Sequence, residues 1–246
     1  MNHQNKIITL FFVTFITSTV NMAEEWKNPD APSENSTTLK EKPPMTKENN
    51  MGTAETTTLS GTHGLSVSRI CSYQRTYRDK GSGGKIDGSF YIPVLPQGFM
   101  MIGGYAQGNY HKPAECVLAV QSNGPSAGAL LRKPNEWLRL WTDKGSGAKK
   151  DGSVWHPTVS DNNYTCIGSV AIEGYSKPNL DNYTCLHRCL VEQTPVAAPV
   201  WSTAGTGAKK KVYIYSLNNS NGFYASTEKI EASEIYDVKS NLQCEF

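Results

Sequence analysis

The 246-residue sequence lacks the features that would place it quickly in several functional classes. It has no apolar segment long enough to span a bilayer comfortably, and no stretch keeps a helical period over three turns, so an α-helical protein is not indicated. Its 24 Lys and Arg residues nearly balance 22 Asp and Glu residues, and a net charge of +2 argues against a nucleic-acid partner. Kinase and metalloprotease signatures are also missing. The informative part of the chain is what it repeats.

Two segments precede the repeats. Residues 1–23 combine a basic flank, an apolar run from Ile7 to Val20 and a small residue at the cleavage point, which predicts a secretory signal peptide. A signal-anchor is the alternative. Residues 24–64 are polar, rich in threonine and charged with both signs. Because such a composition buries too little apolar surface to offset the entropy of ordering, it predicts a disordered linker.

The cysteine count points to an oxidising compartment. Six cysteines, all beyond residue 65, predict disulfides in a secreted protein and leave 15 pairings open; they are Cys71, Cys116, Cys166, Cys185, Cys189 and Cys244. The Cys185-Leu-His-Arg-Cys189 segment could belong to a zinc site, but no second Cys/His pair at zinc spacing accompanies it, so no metal and no cofactor are predicted. Four glycosylation sequons agree with secretion: Asn35, Asn163, Asn182 and Asn218.

One segment occurs three times. Residues 77–93 return at 141–157, and a degraded copy occupies 201–215. Short runs rich in Val, Ile, Tyr, Phe and Trp alternate with Gly, Asn, Ser and Pro clusters, which is typical of β-strands and turns. The sequence therefore predicts one all-β domain over residues 65–246, a β-prism-like fold with pseudo-threefold internal repeats at about 71–134, 135–194 and 195–246.

Glycine-rich turns at the hairpin tips are the first candidate binding site. Their glycines, hydroxyls and lysines could bind anions through side chains and through a nest of backbone N–H groups. The candidate residues are Lys80, Gly81, Ser82, Lys85, Lys144, Gly145, Ser146, Lys149, Lys150, Lys209, Lys210 and Lys211. The alternative is that glycine only closes the hairpins and lysine only keeps the edges soluble.

A second candidate lies on the strand before each of the first two turns, and we call it the aromatic platform. Alternate residues share a strand face, so an aromatic, an arginine, a second aromatic and an aspartate are predicted in a row; the residues are Tyr73, Arg75, Tyr77, Asp79, Trp137, Arg139, Trp141 and Asp143. The alternative is a cross-strand ladder that stabilises the sheet. Asp87 and Asp151, which close the motif, could hold Ca²⁺, but the neighbouring lysines favour turn caps and salt bridges.

One enzyme motif is present. Gly124-Pro-Ser126-Ala-Gly128 matches the nucleophile-elbow pattern, with a later histidine and aspartate able to complete a triad; the candidates are Asp151, His156, Asp181 and His187. That motif requires a helix after the turn, whereas Pro134 follows closely. We therefore expect no enzyme activity, with a hydrolase as the remote alternative.

The repeated block Asp-Lys-Gly-Ser-Gly-x-Lys-x-Asp-Gly-Ser-x-Trp/Tyr-x-Pro resembles the repeats of the plant and fungal vacuolar protein sorting-associated protein 62 family. Ile-Gly-x-x-Ala (at Ile102 and Ile167) and Lys-Pro (at Lys112 and Lys177) extend the resemblance. The third copy is similar to multivesicular-body-associated β-prism domains. The resemblance covers about residues 65–246.

The resemblance implies a β-prism of three sheets about one axis and, in the β-prism relatives, binding to acidic lipids through basic loops. Matched to this sequence, that role falls on the tip lysines of the second and third copies, Lys144, Lys149, Lys150, Lys209, Lys210 and Lys211. The first hypothesis is thus a secreted recognition protein for anionic lipid head groups or surface glycans on a membrane. The alternatives are a lectin-like module that uses the aromatic platform, and a structural or matrix protein whose prism stacks with partners, among them other copies of itself.

Overall fold

The computed structural model describes residues 64–123, 127–230, 234–242 and 244. The predicted signal peptide, the predicted linker up to residue 63, the Asn35 sequon and Ser126 lie outside the described residues. Among the residues that are described, no helix is long and apolar enough to cross a membrane.

The described chain is nearly all β-strand and loop, as the sequence predicted. The first repeat holds β1 (Leu65–Ile70), β2 (Tyr73–Arg78), β3 (Ser89–Pro93), β4 (Met100–Met101), β5 (Tyr105–Gln107) and β6 (Val117–Ser122). After a short helix α1 (Ala127–Leu130), the second holds β7 (Leu131–Arg132), β8 (Glu136–Thr142), β9 (Gly152–Thr158), β10 (Tyr164–Thr165), β11 (Val170–Glu173) and β12 (Cys185–His187). A 3₁₀ helix (Arg188–Leu190) leads to the third, with β13 (Val191–Pro195), β14 (Trp201–Ser202), β15 (Tyr213–Ser216), β16 (Phe223–Ser226) and β17 (Glu234–Val238).

Two pairings of strands recur in each repeat. A hairpin and a third strand form an antiparallel sheet, in the orders β2-β3-β5, β8-β9-β11 and β14-β15-β16. The first strand of each repeat pairs with its last strand, as β1 with β6, β7 with β12 and β13 with β17. Each repeat therefore closes on itself, and the three hairpin sheets form the β-prism that the sequence predicted. The pairing starts the repeats at Leu65, Leu131 and Val191, a few residues before the sequence motifs indicated.

The hairpin sheets share one aromatic core. Tyr77, Trp141 and Trp201 occupy the same position in successive repeats and are at most 3% exposed. The ring centroids of Tyr77 and Trp141 lie 6.1 Å apart, and those of Trp141 and Trp201 lie 5.5 Å apart. Phe90, Val154 and Ile214 form the next layer of equivalent positions. Burial of these large side chains is the main force that holds the three sheets together.

The aromatic platform does not occupy one strand face, so that prediction is wrong. In β2 the pairing register shifts between Arg75, which lies opposite Tyr91, and Tyr77, which lies opposite Phe90. Because Phe90 and Tyr91 are neighbours on β3 and point to opposite faces, this β-bulge turns Tyr77 into the core while Arg75 stays exposed. The same shift occurs in β8.

The six cysteines form three disulfides, which confirms their predicted use: Cys71–Cys116, Cys166–Cys185 and Cys189–Cys244. The first two each lie within one repeat. The third joins the 3₁₀ helix after the second repeat to the C-terminal segment.

Candidate functional site

The three glycine-rich turns meet at one end of the prism. We call residues 80–87, 144–151 and 204–211 the tip loops. The sixth residue of each donates its backbone N–H to the first carbonyl of a neighbouring loop: Lys85 to Ala204 at 2.9 Å, Lys149 to Lys80 at 2.9 Å and Lys209 to Lys144 at 3.3 Å. The donations run from the first loop to the third, the third to the second and the second to the first, so the loops form a closed ring.

Glycine at the second position of each loop makes this close approach feasible. Gly81, Gly145 and Gly205 have φ values of 94°, 85° and 87°. A side chain at any of them would start 3.1 to 3.2 Å from a carbonyl oxygen of the adjacent loop. The left-handed backbone strains any other residue there, and the close contact adds to that cost.

A buried aspartate anchors the first tip loop. Asp79 is 2% exposed and accepts four hydrogen bonds. Its Oδ1 accepts from the Gly88 N–H at 2.8 Å and the Tyr110 hydroxyl at 2.7 Å. Its Oδ2 accepts from Trp201 Nε1 at 2.8 Å and Ser82 Oγ at 3.1 Å. The Trp201 bond ties the first repeat to the third across the core.

The equivalent positions show how the anchor varies. Asp143 accepts from the Gly152 N–H at 3.0 Å and the Tyr175 hydroxyl at 2.7 Å. The third repeat has Thr203, whose Oγ1 accepts from the Val212 N–H at 3.3 Å. Asp79 and Asp143 are therefore structural anchors beneath the ring, and their burial keeps them from contacting a ligand.

Two further predicted binding residues are also structural. Ser82 and Ser146 are 7% and 4% exposed. Each hydroxyl points to the buried aspartate of its own repeat and accepts a backbone N–H two residues ahead. Their prediction as ligand contacts is wrong because these hydroxyls complete the turn.

Much of the predicted backbone nest is already used within the protein. In each tip loop, the N–H groups of the third, fifth and sixth residues all have acceptors inside the protein. Because these N–H groups are occupied, the exposed basic side chains are the main groups available to bind an anion.

The tip loops concentrate positive charge. They contain eight lysines against two aspartates, Asp87 and Asp151, a formal surplus of six charges in a chain whose net charge is +2. All eight lysines are exposed. Lys150 pairs with Glu173 at 3.3 Å, and the Lys144 ammonium lies 4.9 Å from the Tyr175 ring centroid. Within the described part of the chain, the other six lysines have no carboxylate within 4.0 Å.

A cavity of about 150 Å³ opens beside the ring between the second and third repeats. Its charged lining residues are all basic: Arg139, Lys144 and Lys210. The Arg139 guanidinium is held by the Trp155 ring, 5.6 Å from its centroid, and donates to the Tyr175 carbonyl at 3.3 Å. The cavity thus combines one guanidinium and two ammonium groups, an arrangement suited to a phosphate or carboxylate group.

The residues of the aromatic platform separate into three environments. Tyr77 and Trp141 lie in the core, and burial raises the pKa of the Tyr77 hydroxyl. Arg75 and Arg139 are exposed, and Arg139 reaches the basic cavity. Tyr73 and Trp137 lie half-buried at the ends of β2 and β8 away from the tip loops. The platform is therefore not one binding surface.

Sequence reasoning missed the tyrosines that bind the anchoring aspartates. Tyr110 and Tyr175 stand two residues before the repeated Lys-Pro pairs at Lys112 and Lys177. Burial and the hydrogen bonds to Asp79 and Asp143 raise their pKa values. Extending the repeat alignment by two residues would have found them.

The two histidines proposed for a hydrolase triad, His156 and His187, contact other groups. His156 Nδ1 lies 3.0 Å from Ser169 Oγ, and Ser169 is fully buried and also accepts the Ala225 N–H. Burial lowers the pKa of His156 to about 4, so its imidazole is neutral at physiological pH. His187 Nδ1 instead lies 2.9 Å from Cys189 Sγ.

The possible zinc site around His187 includes both cysteines of the Cys189–Cys244 disulfide. His187, Cys189 and Cys244 bring ligand-type atoms within 4.8 Å of one another. Because both sulfurs are joined in the Cys189–Cys244 disulfide, only the histidine is able to act as a ligand in the oxidised protein.

Three predicted glycosylation positions, Asn163, Asn182 and Asn218, are exposed.

Comparisons with known proteins identify a family model that matches this chain and a solved structure that is similar to it. A family model described as vacuolar protein sorting-associated protein 62 matches residues 36–233, well over half of the chain. Among solved structures, the crystal structure of GNIP1Aa from Chromobacterium piscinae is similar, with a TM-score of 0.63 and 25% identity over 73% of this chain. The match covers 38% of the GNIP1Aa chain, so this chain spans well under two thirds of that protein. A search of curated proteins finds no match.

Proposed function

Because this chain belongs to the vacuolar protein sorting-associated protein 62 family, we propose that its β-prism is a secreted, non-enzymatic recognition domain that binds anionic membrane surfaces through the tip loops. One observation carries the proposal. The fold brings all three tip loops into one ring, and their six surplus positive charges therefore lie at one end of the prism.

Clustered lysines attract an anionic membrane more strongly than the same lysines scattered over the protein surface. Attraction between exposed charges falls off within about 8 Å at physiological salt, so only lysines that reach the surface together contribute. Near an anionic leaflet each contributes about 1 kcal/mol. The basic cavity lined by Arg139, Lys144 and Lys210 would receive a single head-group phosphate or carboxylate.

Secretion is part of the proposal. Three disulfides are typical of proteins from oxidising compartments, and the exposed sequons at Asn163, Asn182 and Asn218 are accessible to glycosylation. With the predicted signal peptide, these features favour an extracellular or luminal surface over the cytosol as the place of binding.

Vesicle co-sedimentation of the disulfide-intact protein tests the proposal. We expect sedimentation with vesicles that contain anionic lipid and none with purely neutral vesicles. Raising the salt from 0.05 to 0.5 M should weaken binding at least about tenfold, because screening shortens the reach of each lysine. Equal binding to neutral vesicles, or binding that salt does not change, would contradict the proposal. A glycan array run in parallel separates sugar binding from charge attraction.

A further inference from the structure

A second cavity lies at the opposite end of the second repeat. It has a volume of about 220 Å³ and sits where β8 begins, against the loop that follows β11. The polar and aromatic residues that line it are Lys133, Asn135, Trp137, Lys177, Asn179 and Asp181. β8 runs from this cavity to the second tip loop, so roughly 20 Å of strand separates the two sites.

The first repeat shows the same region tied together. Tyr73 takes the place of Trp137; its hydroxyl donates to the Glu115 carbonyl at 2.7 Å and accepts the Val117 N–H at 3.0 Å. The Cys71–Cys116 disulfide occupies the positions equivalent to Asn135 and Asp181. In the second repeat, polar side chains replace that covalent link, and a cavity lies between the two walls.

Trp137 differs from the other described tryptophans. Trp141, Trp155 and Trp201 donate their indole N–H groups to Lys210 O, Ser153 Oγ and Asp79 Oδ2. The indole N–H of Trp137 has no acceptor among the described residues. Its ring is held in place by Tyr183 in an edge contact, with centroids 5.2 Å apart. A rigid, half-buried indole with a free donor therefore lines the cavity.

The polar side chains that line the cavity leave several hydrogen-bonding groups without partners in the described ranges, and their charges nearly cancel. Asn179 and Asp181 are exposed, and their side chains make no hydrogen bond or ion pair within the described part of the chain. Lys177 is paired with Glu136 at 3.0 Å, so Lys133 and Asp181 remain as opposite charges. Such a site offers donors and acceptors without a strong preference for an ion.

We propose that this cavity binds one neutral sugar ring. The apolar C–H face of a sugar stacks on an indole, while its hydroxyl groups both donate and accept, as the amide of Asn179, the carboxylate of Asp181 and the ammonium of Lys133 require. The site is separate from the tip loops. The outcome of a sugar-binding test is therefore independent of the outcome of the vesicle-binding test.

The sugar has two sources to distinguish. Asn182, the start of a glycosylation sequon, directly follows Asp181, so the ring could come from an attached glycan or from another molecule. The experiment therefore uses Asn182→Gln protein beside the glycosylated protein. Binding of free sugar by both forms indicates an external ligand, whereas binding by the Asn182→Gln form alone indicates that the protein's own glycan occupies the cavity. Both results support a sugar site.

Saturation-transfer NMR with free glucose, galactose, mannose and N-acetylglucosamine is the direct assay. We expect at least one of them to bind the Asn182→Gln protein. Asn179→Ala with Asp181→Ala should weaken that binding about tenfold or more, because two hydrogen-bonding groups are lost. These exposed substitutions leave the core intact, unlike a change at Trp137.

The matched control is the equivalent loop of the first repeat, changed as Lys112→Ala with Glu115→Ala. This variant should bind sugar as the parent does. The proposal is overturned if none of the four sugars receives saturation, or if the Asn179→Ala, Asp181→Ala variant binds as tightly as the control.

Discussion

Replacing Asp79 with alanine is expected to lower the free energy of unfolding by about 3–5 kcal/mol, a large part of the stability of a single domain. The substitution removes the acceptor for four donors, of which the Trp201 indole N–H and the Gly88 N–H are fully enclosed. A buried donor left without a partner costs its whole desolvation energy. Urea unfolding followed by tryptophan fluorescence measures the loss.

Asp143→Ala is the matched control. Asp143 anchors the equivalent turn but receives no tryptophan N–H, so a smaller loss of about 1–3 kcal/mol is expected. The third repeat, which folds with Thr203 at this position, shows that the turn itself does not need a carboxylate. Equal losses for Asp79→Ala and Asp143→Ala would show that the bond between the first and third repeats contributes nothing.

Neutralising the sixth residue of every tip loop is expected to weaken binding to anionic vesicles roughly 100-fold, because three lysines at about 1 kcal/mol each are lost. Glutamine is the suitable replacement for Lys85, Lys149 and Lys209, since their side-chain stems lie against the second glycine of the neighbouring loop and glutamine keeps most of that contact. Co-sedimentation over a range of lipid concentrations gives the change in affinity.

The control variant carries the same loss of charge outside the tip loops: Lys112→Gln, Lys133→Gln and Lys177→Gln. Lys177 pairs with Glu136 at the start of β8, the end remote from the tip loops. If attraction depended only on net charge, both triple variants would lose affinity equally. If the tip loops contact the membrane, the control variant keeps nearly all of its binding.

Much of the fold follows from the sequence because the repeat is visible in it. The spacing of the three Gly-rich copies predicted three equivalent hairpins, and the strands, the disulfide use and the family all agree. The gathering of the tip lysines also follows from symmetry, since equivalent tips of three sheets around one axis meet at the same end.

What the sequence could not predict depends on single extra residues and on long-range partners. One bulge residue after Arg75 reverses the face of Tyr77 without changing the sequence pattern. The bond from Trp201 to Asp79 joins residues 122 positions apart, which no local motif records. The cavity at Trp137 lies where Asn135 and Asp181 of the second repeat replace the disulfide of the first repeat. That difference becomes visible only once the cysteines are paired.

The most direct test of the central claim is to locate the membrane-contacting residues. NMR spectra of the isotope-labelled, disulfide-intact protein would be recorded on anionic nanodiscs carrying a gadolinium lipid, which broadens nearby amide signals. Membrane contact through the tip loops predicts broadening confined to residues 80–87, 144–151 and 204–211, with the signals around Trp137 unaffected. Broadening at the Trp137 end of the prism, or spread evenly over the three sheets, would contradict it.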